Sequence, residues 1–257
     1  MKYTQGLYPI TKKETLGKNL YRISIFCPEI ASIAKPGQFV HILPTGHTLR
    51  RPISICDIEK DSLKIVFEVK GDGTSKIADL RKGDLIDMIG PLGHGFTLLS
   101  EAKNVICIGG GIGTPPMLPV LKYYSQFAEN TTIISGFRSA EFVILQNEFE
   151  KYSTNRILCT DNGTAGQKAI VTEPLKNIIS NQKVDAIYAC GPTPMLKAIS
   201  QIANENDIFC EISLEERMGC GIGACLVCAC KLQKEGKEIA GHVCKDGPVF
   251  SSKEVQW

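Results

Sequence analysis

The chain has 257 residues, 43% of them hydrophobic and 22% charged, with a formal net charge of +2. That balance is ordinary for a globular protein, and with no basic patch interleaved with aromatics it gives no support to nucleic-acid binding. No run approaches the roughly 18 apolar residues of a membrane span, and the opening MKYTQGLYPITKKE lacks an apolar signal segment, so a reducing, cytoplasmic compartment is expected. The length allows two domains, or two plus a small appendage.

Residues 1–100 read as an all-β domain. Leu20 to Phe26 alternates apolar and polar residues, and Gln38 to Leu43, Arg51 to Cys56, Ser62 to Val69 and Asp84 to Ile89 are further short β-rich runs. Pro36-Gly37, Pro44, Lys60-Asp61, Lys82-Gly83 and Pro91 to Gly95 punctuate them as turns. Short strands at this spacing predict a closed barrel. Within this region Arg50-Arg51-Pro52-Ile53-Ser54 offers a guanidinium fork for a phosphate, though taken alone it reads rather as a surface arginine pair beside a turn. Gly71-Asp72-Gly73-Thr74-Ser75 is a second candidate phosphate cradle, or simply a helix cap.

From 101 to 212 the rhythm changes to alternating strands and helices. Val105 to Ile108 is an apolar strand running into Gly109-Gly110-Gly111-Ile112-Gly113, and a helix follows with Pro115 and Pro116 in its first turn. Met117, Val120, Leu121 and Tyr124 fall on one face of that helix. Thr131 to Ser135, Arg156 to Thr160 and Val184 to Cys190 are the next strands, and Met195, Leu196, Ile199 and Ile202 mark a last helix. This pattern predicts a doubly wound parallel sheet with ligands at the C-terminal ends of its strands. The glycine-rich turn departs from the strict dinucleotide fingerprint, because Thr114 stands where a third glycine belongs. It reads as a phosphate-binding helix start or as a tight strand–helix turn. At the second strand end, Gly136-Phe137-Arg138-Ser139, no acidic residue stands at the tip, and Glu141 is close.

Residues 213–257 form the appendage. Cys220, Cys225, Cys228 and Cys244 read C-x4-C-x2-C, a gap of fifteen residues, then C, the plant-type spacing for a [2Fe-2S] cluster. The glycines of Cys220-Gly221-Ile222-Gly223-Ala224-Cys225 let the backbone wrap tightly and aim amides at sulfur. Zinc is the rival, with His242 as a competing ligand, but only one C-x2-C pair is present. Cys230 is an extra thiol two residues after Cys228. Cys27, Cys56, Cys107 and Cys159 sit singly in apolar runs and are expected in cores.

Taken in order, these motifs resemble the ferredoxin–NADP reductase superfamily with an appended iron–sulfur module. Within it they are similar to the electron-transfer subunits of two-subunit, NAD-linked dihydroorotate dehydrogenase. The resemblance runs along essentially the whole chain, through Arg51 to Ser54, Gly90-Pro91-Leu92-Gly93, Gly109 to Pro116, Cys190-Gly191-Pro192, Glu216 to Cys228 and Cys244 to Phe250. It implies an oxidoreductase subunit with FAD on the barrel. Arg51 would meet the flavin phosphates with Pro52 beside it, and Ser54 would lie near the isoalloxazine. Ile53 would stand where many relatives have a tyrosine packed on the flavin. Glu68, Val69 and Lys70 would line the flavin, and Gly73, Thr74 and Ser75 would hold the pyrophosphate. Gly109, Gly110, Gly111, Ile112, Gly113 and Thr114, with Gly191 and Pro192, would hold NAD. Cys190 would stand near the nicotinamide as the catalytic candidate, or be a buried strand-end thiol. Arg138 leaves NADP open.

The resemblance further implies an FMN-containing catalytic partner that oxidises dihydroorotate to orotate in pyrimidine biosynthesis, in a heterotetramer of two of each subunit. Electrons would pass from the partner's flavin to the [2Fe-2S] cluster, then to FAD, then to NAD. The docking surface is expected at Met218 to Cys228 and Lys245 to Phe250. Two other readings are a subunit of a different redox complex, such as a hydrogenase or sulfide-linked enzyme, and a redox sensor.

Overall fold

A computed structural model describes residues 2–257, which divide into two compact units. The first is made of residues 2–95, 215–230 and 240–249, and the second of residues 96–214, 231–239 and 250–257.

In the first unit β1 spans Thr4–Gly17, β2 Leu20–Phe26, β3 Phe39–Leu43, β4 Arg51–Ile58, β5 Ser62–Glu68 and β6 Leu85–Leu92. Helix α1, Pro28–Ala31, follows β2, and α2, Asp72–Asp79, follows β5. The six strands close into a barrel in the order β1-β2-β5-β4-β3-β6, with every pairing antiparallel. Closure leaves no strand edge unpaired. Ile10, Ile23, Ile25, Val40, Ile42, Ile55, Ile65 and Met88 fill the interior, all fully buried or nearly so. Burying such a side chain stabilises the fold by roughly 1.5–3 kcal/mol. Strand β1 is absent from the sequence expectation, and its pairing explains why. Thr4 to Pro9 pairs with β6, and Ile10 to Gly17 pairs with β2 through two register shifts. One strand thus serves both neighbours, and the bulges interrupt the period-2 alternation that marks a strand.

In the second unit β7 is Asn104–Gly110, α3 Met117–Tyr124, β8 Asn130–Phe137, α4 Gln146–Tyr152, β9 Asn155–Thr160, β10 Gln167–Lys168, α5 Thr172–Asn181, β11 Ala186–Cys190, α6 Thr193–Glu205 and β12 Phe209–Ser213. The chain then forms a two-stranded ribbon, β13 Ala229–Lys234 and β14 Lys237–His242, and ends with β15, Val249–Ser251. The sheet runs β10-β9-β8-β7-β11-β12-β15, parallel from β10 to β12. The run Val105-Ile106-Cys107-Ile108 is buried throughout, as a central parallel strand covered on both faces must be. Strand order reverses between β7 and β11, the place where such sheets hold ligands. The helix after the glycine turn starts later than expected. Gly111–Gly113 forms one 3-10 turn, Pro116 is the N-cap, and α3 begins at Met117. Its residues Met117, Val120, Leu121 and Tyr124 are buried, and so are Leu118 and Pro119.

Cys27, Cys56, Cys107 and Cys159 are core residues, and none of the eleven cysteines forms a disulfide. No described helix is long and apolar enough to cross a membrane.

Candidate cofactor sites

The cysteine turn belongs to the same compact unit as the barrel. Between Cys220 and Cys225 the chain turns through Gly221 and Gly223, with φ of +74° and +83°, a region that favours glycine. The result is a set of backbone N–H groups aimed at sulfur. Cys220 Sγ accepts from Ile222 (3.4 Å), Ala224 (3.2 Å) and Cys225 (3.4 Å). Cys225 Sγ accepts from Cys220 N–H (3.4 Å), Cys244 Sγ from Gly223 N–H (3.2 Å), and Cys228 Sγ from Cys244 N–H (3.4 Å). Backbone N–H to sulfur bonds thus link the cysteines in two pairs, Cys220 with Cys225 and Cys228 with Cys244. Two thiolates per iron is the demand of a two-iron core. Donor chemistry and amide placement fit an iron–sulfur cluster.

The electrostatics agree with this division. Burial pushes the Cys220 thiol up, but the N–H groups of Ile222, Cys225 and Ala224 outweigh it and bring it down to about 6. Burial and the neighbouring Cys228 push Cys244 up to about 12. Burial also pushes Cys230, half-buried on β13, up to about 11. His242 turns toward Asp246, with Nδ1 3.5 Å from its carboxylate. The tail beyond the turn is anchored on the barrel side. His94 N–H donates to the Gly247 carbonyl (2.6 Å), and a Cβ on Gly93 would lie 2.4 Å from Pro248.

One residue at this turn carries no sequence signal. His41, on β3, is fully buried, and neither ring nitrogen has a hydrogen-bond partner. A Cβ on Gly221 would lie 2.4 Å from its Nδ1, so the imidazole sits directly against the turn. The backbones of Cys220 and Arg50 are polar neighbours of the ring, outside normal hydrogen-bond geometry. Burial pushes His41 down to about 4.

A second cluster forms where β4 begins and α2 starts. The paired arginines separate in role. Arg50 Nη1 donates to Asp87 Oδ1 (2.8 Å) and to the His41 carbonyl (3.3 Å). Arg51 instead lies over Gly73, where a Cβ would come within 2.5 Å of its Nε. Only glycine lets the guanidinium reach the amides of a helix start, and together these groups form an anion cradle that fits a flavin pyrophosphate. His47, also missed from sequence, steadies Arg51. Its Nδ1 lies 3.3 Å from Arg51 Nη2 and its Nε2 lies 2.9 Å from Asp72. The Thr74 hydroxyl is already engaged, accepting from the N–H groups of Lys70 (2.9 Å) and Gly71 (3.2 Å) and donating to the Gly71 carbonyl (2.9 Å). Ser75 N–H donates to the Gly71 carbonyl (2.9 Å). Glu68 ends β5, with Lys70 Nζ 3.9 Å from its carboxylate and Val69 packed on the barrel core. Pro52, Ile53 and Ser54 follow on β4, all partly buried, and Ile53 packs on the core.

The second unit brings the glycine turn and the Cys190 turn together. Gly109 and Cys190 are register partners on β7 and β11, at the point where strand order reverses. A Cβ on Gly113 would lie 2.5 Å from the Cys190 carbonyl oxygen, and one on Gly110 would meet Pro192 at 2.8 Å. These glycines are needed for packing. Gly111 differs: its φ is +53° and nothing lies within 4 Å of a Cβ there. Thr114 is fully buried with an unpartnered hydroxyl, and its Cα would lie 2.5 Å from a Cβ on Gly109. The residue that breaks the glycine fingerprint thus packs against the first glycine of the turn. Ile112 is partly exposed, as are Cys190 and Gly191. Arg138 is exposed at the end of β8, and Ser139 Oγ donates to Glu141 (3.2 Å).

Two parts of the chain match known families. Residues 215–256 match the iron–sulfur cluster binding domain of dihydroorotate dehydrogenase B, and residues 107–201 match the oxidoreductase NAD-binding domain. The dihydroorotate dehydrogenase B (NAD(+)) electron transfer subunit of Caldanaerobacter subterraneus subsp. tengcongensis is 40% identical over 221 residues, 86% of each chain. Its counterpart from Fusobacterium nucleatum subsp. nucleatum is 38% identical over 250 residues, 94% of each. Among solved structures, one of an NADH-dependent reduced ferredoxin-NADP oxidoreductase superposes with a TM-score of 0.86 at 30% identity, covering 99% of this chain and 91% of that one. A ferredoxin NADP+ reductase from Neisseria gonorrhoeae shares the fold, with a TM-score of 0.66 at 20% identity over 84% of this chain and 94% of that one. At these identities over nearly its full length, the chain belongs to the family of electron transfer subunits of dihydroorotate dehydrogenase B (NAD(+)).

Proposed function

We propose that this chain receives electrons from a catalytic partner that oxidises dihydroorotate and delivers them to NAD, with a [2Fe-2S] cluster and FAD as its own carriers. The observation that carries this reading is the cysteine turn, where two sulfur pairs lie under converging backbone N–H groups in one compact unit with the barrel. When bound, FAD joins the two-electron chemistry of the nicotinamide to the one-electron chemistry of an iron–sulfur cluster.

The residues divide the work. Cys220, Cys225, Cys228 and Cys244 hold the cluster, and the surrounding amides stabilise negative charge on their sulfurs. Arg51 and the start of α2 hold the flavin pyrophosphate, with Pro52, Ile53, Ser54, Glu68, Val69 and Lys70 beside the rest of the cofactor. Gly73 and Ser75 contribute through their backbone, as does Thr74, whose hydroxyl caps the helix. Gly109 to Thr114, with Gly191 and Pro192, hold the NAD phosphates, and Cys190 faces the nicotinamide. The partner carries FMN, and the assembly is a heterotetramer of two of each chain.

The test is reconstitution. The purified chain is mixed with a flavin-containing dihydroorotate dehydrogenase catalytic subunit, and NADH formation from dihydroorotate is followed. Activity in the mixture and none in the chain alone is expected; dihydroorotate oxidation by the chain alone overturns the reading. The 0.86 superposition on an NADH-dependent reduced ferredoxin-NADP oxidoreductase favours a second reading, a subunit of another NAD(P)H-linked complex. Co-purification with the native partner separates the two.

A further inference from the structure

We propose that His41 is a positioning residue for the cysteine turn, donating a ring N–H to the Cys220 backbone when the cluster is held and thereby setting cluster retention and reduction potential. The inference rests on the reading of Cys220, Cys225, Cys228 and Cys244 as cluster ligands.

The observation behind it is an anomaly. His41 is fully inside the first unit, and both ring nitrogens lack partners. Buried polar groups are nearly always hydrogen-bonded, and leaving one unpaired is costly, whereas an apolar side chain of similar shape is nearly neutral. A leucine or phenylalanine would satisfy a purely structural position at lower cost. The ring is also held in one place. Its strand pairs with Pro52 on one side and Ile89 on the other. The His41 carbonyl accepts from Arg50, and Phe39 packs edge-on against the imidazole with ring centroids 6.5 Å apart.

What the ring faces is the first ligand turn. A Cβ on Gly221 would fall 2.4 Å from Nδ1, and Gly221 holds φ +74°. The turn leaves room for the imidazole and for nothing larger than a hydrogen. Cys220 is the neighbouring backbone polar group on that side. Closure of this turn around a bound cluster would be the change that brings a ring nitrogen and that backbone into a hydrogen bond. An N–H donated to that backbone would place a positive dipole beside a ligand of the cluster and would favour the more negative, reduced form, since hydrogen bonding around a cluster tunes its potential. The same strand pair carries Arg51 to Ser54, so His41 ties the cysteine turn to the strand that holds the proposed flavin site.

The experiment uses the full chain reconstituted with iron, sulfide and FAD, as native protein, His41→Leu and His41→Gln. Iron and acid-labile sulfide content, the midpoint potential from an anaerobic dye-coupled titration, and the rate of cluster loss to a chelator are measured. His41→Leu is expected to keep its FAD, to show a more negative midpoint, and to lose its cluster roughly 5- to 10-fold faster, the worth of one hydrogen bond. His41→Gln, which restores a donor, is expected to recover part of both effects. Native values in His41→Leu overturn the inference, as do equal defects in the two variants, which mark a volume effect only. If His41→Leu does not fold, His41→Gln against His41→Met decides on the same readouts. A native chain that binds no cluster rejects the ligand reading itself, an outcome separate from an unaltered variant in a loaded chain.

Discussion

Arg50 and Arg51 are adjacent in sequence and do different things. Arg50 is committed to Asp87 and the β3 backbone, while Arg51 reaches across Gly73 to the start of α2. Replacing Arg51 by alanine removes the guanidinium proposed to meet the flavin phosphates, and a charge-assisted contact of that kind is worth roughly 1.5–3 kcal/mol. FAD affinity is expected to fall on the order of 10- to 100-fold by flavin titration, with the cluster retained; an unchanged dissociation constant places the flavin elsewhere. The cysteines separate in the same way. Serine at Cys220, Cys225, Cys228 or Cys244 is expected to abolish or alter the cluster spectrum, whereas Cys230→Ser leaves iron and sulfide content at the native level. Loss of the cluster in Cys230→Ser, with retention in Cys228→Ser, reverses the assignment. In cluster-free protein, Cys220, brought down to about 6, is mostly thiolate at pH 7, while Cys230 and Cys244, up at about 11 and 12, are protonated. Thiolate is the reactive form. Alkylation mapped by mass spectrometry is therefore expected to be faster at Cys220 than at either of these at pH 7, and to slow as the pH falls through 6.

At the scale of the element, the glycine turn after β7 shows how much a motif tells. Gly109 to Pro116 was legible as a strand–turn–helix unit, because a buried apolar strand, a glycine run and prolines each carry a local signal. The division of labour among the glycines was not legible. Gly110 and Gly113 are fixed by Pro192 and Cys190, some eighty residues away in sequence, whereas Gly111 faces open space. Gly111→Val puts a β-branched side chain at φ +53° and into that space. NADH reduction of bound FAD is expected to be lost in stopped-flow measurements, with FAD and iron content unchanged. Native rates in this variant rule out nicotinamide binding at the turn. Strand β1 was illegible for the opposite reason. Its identity depends on two different partner strands; β2 follows it directly across a tight turn, but β6, which pairs its first half, lies at the far end of the barrel sequence.

For the molecule as a whole, the exposed apolar residues of the cysteine turn bear on how the subunit meets its partner. Ile222, Leu226 and Val227 are 40%, 58% and 58% exposed, a high value for side chains of this kind gathered on one turn. The tail expected to join them does so only in part, since Lys245 and Asp246 are exposed while Gly247 to Phe250 are buried. Ile222→Glu or Leu226→Glu is expected to reduce coupled dihydroorotate-to-NAD activity at least 10-fold, without changing NADH reduction of a dye by the isolated chain. Full coupled activity in both variants removes this face from the docking surface. The same preparations test nucleotide choice: NADH is expected over NADPH, and a strong NADPH preference, with Arg138 as its cause, counts against the dihydroorotate reading.

By itself the sequence determined the chemistry. Four cysteines at C-x4-C-x2-C and a distant fourth position, an apolar strand entering a glycine run, and short strands broken by turn residues are local patterns, each tied to what backbone geometry or metal coordination allows. Tertiary structure alone decided which members of those patterns act together. It brought Cys244 to Cys228, set Arg50 on Asp87 and Arg51 on Gly73, set Gly113 against Cys190, and placed the imidazole of His41 against Gly221. Each of these joins residues far apart in the chain, and packing at that range follows from barrel closure and sheet order, which no spacing along the sequence encodes.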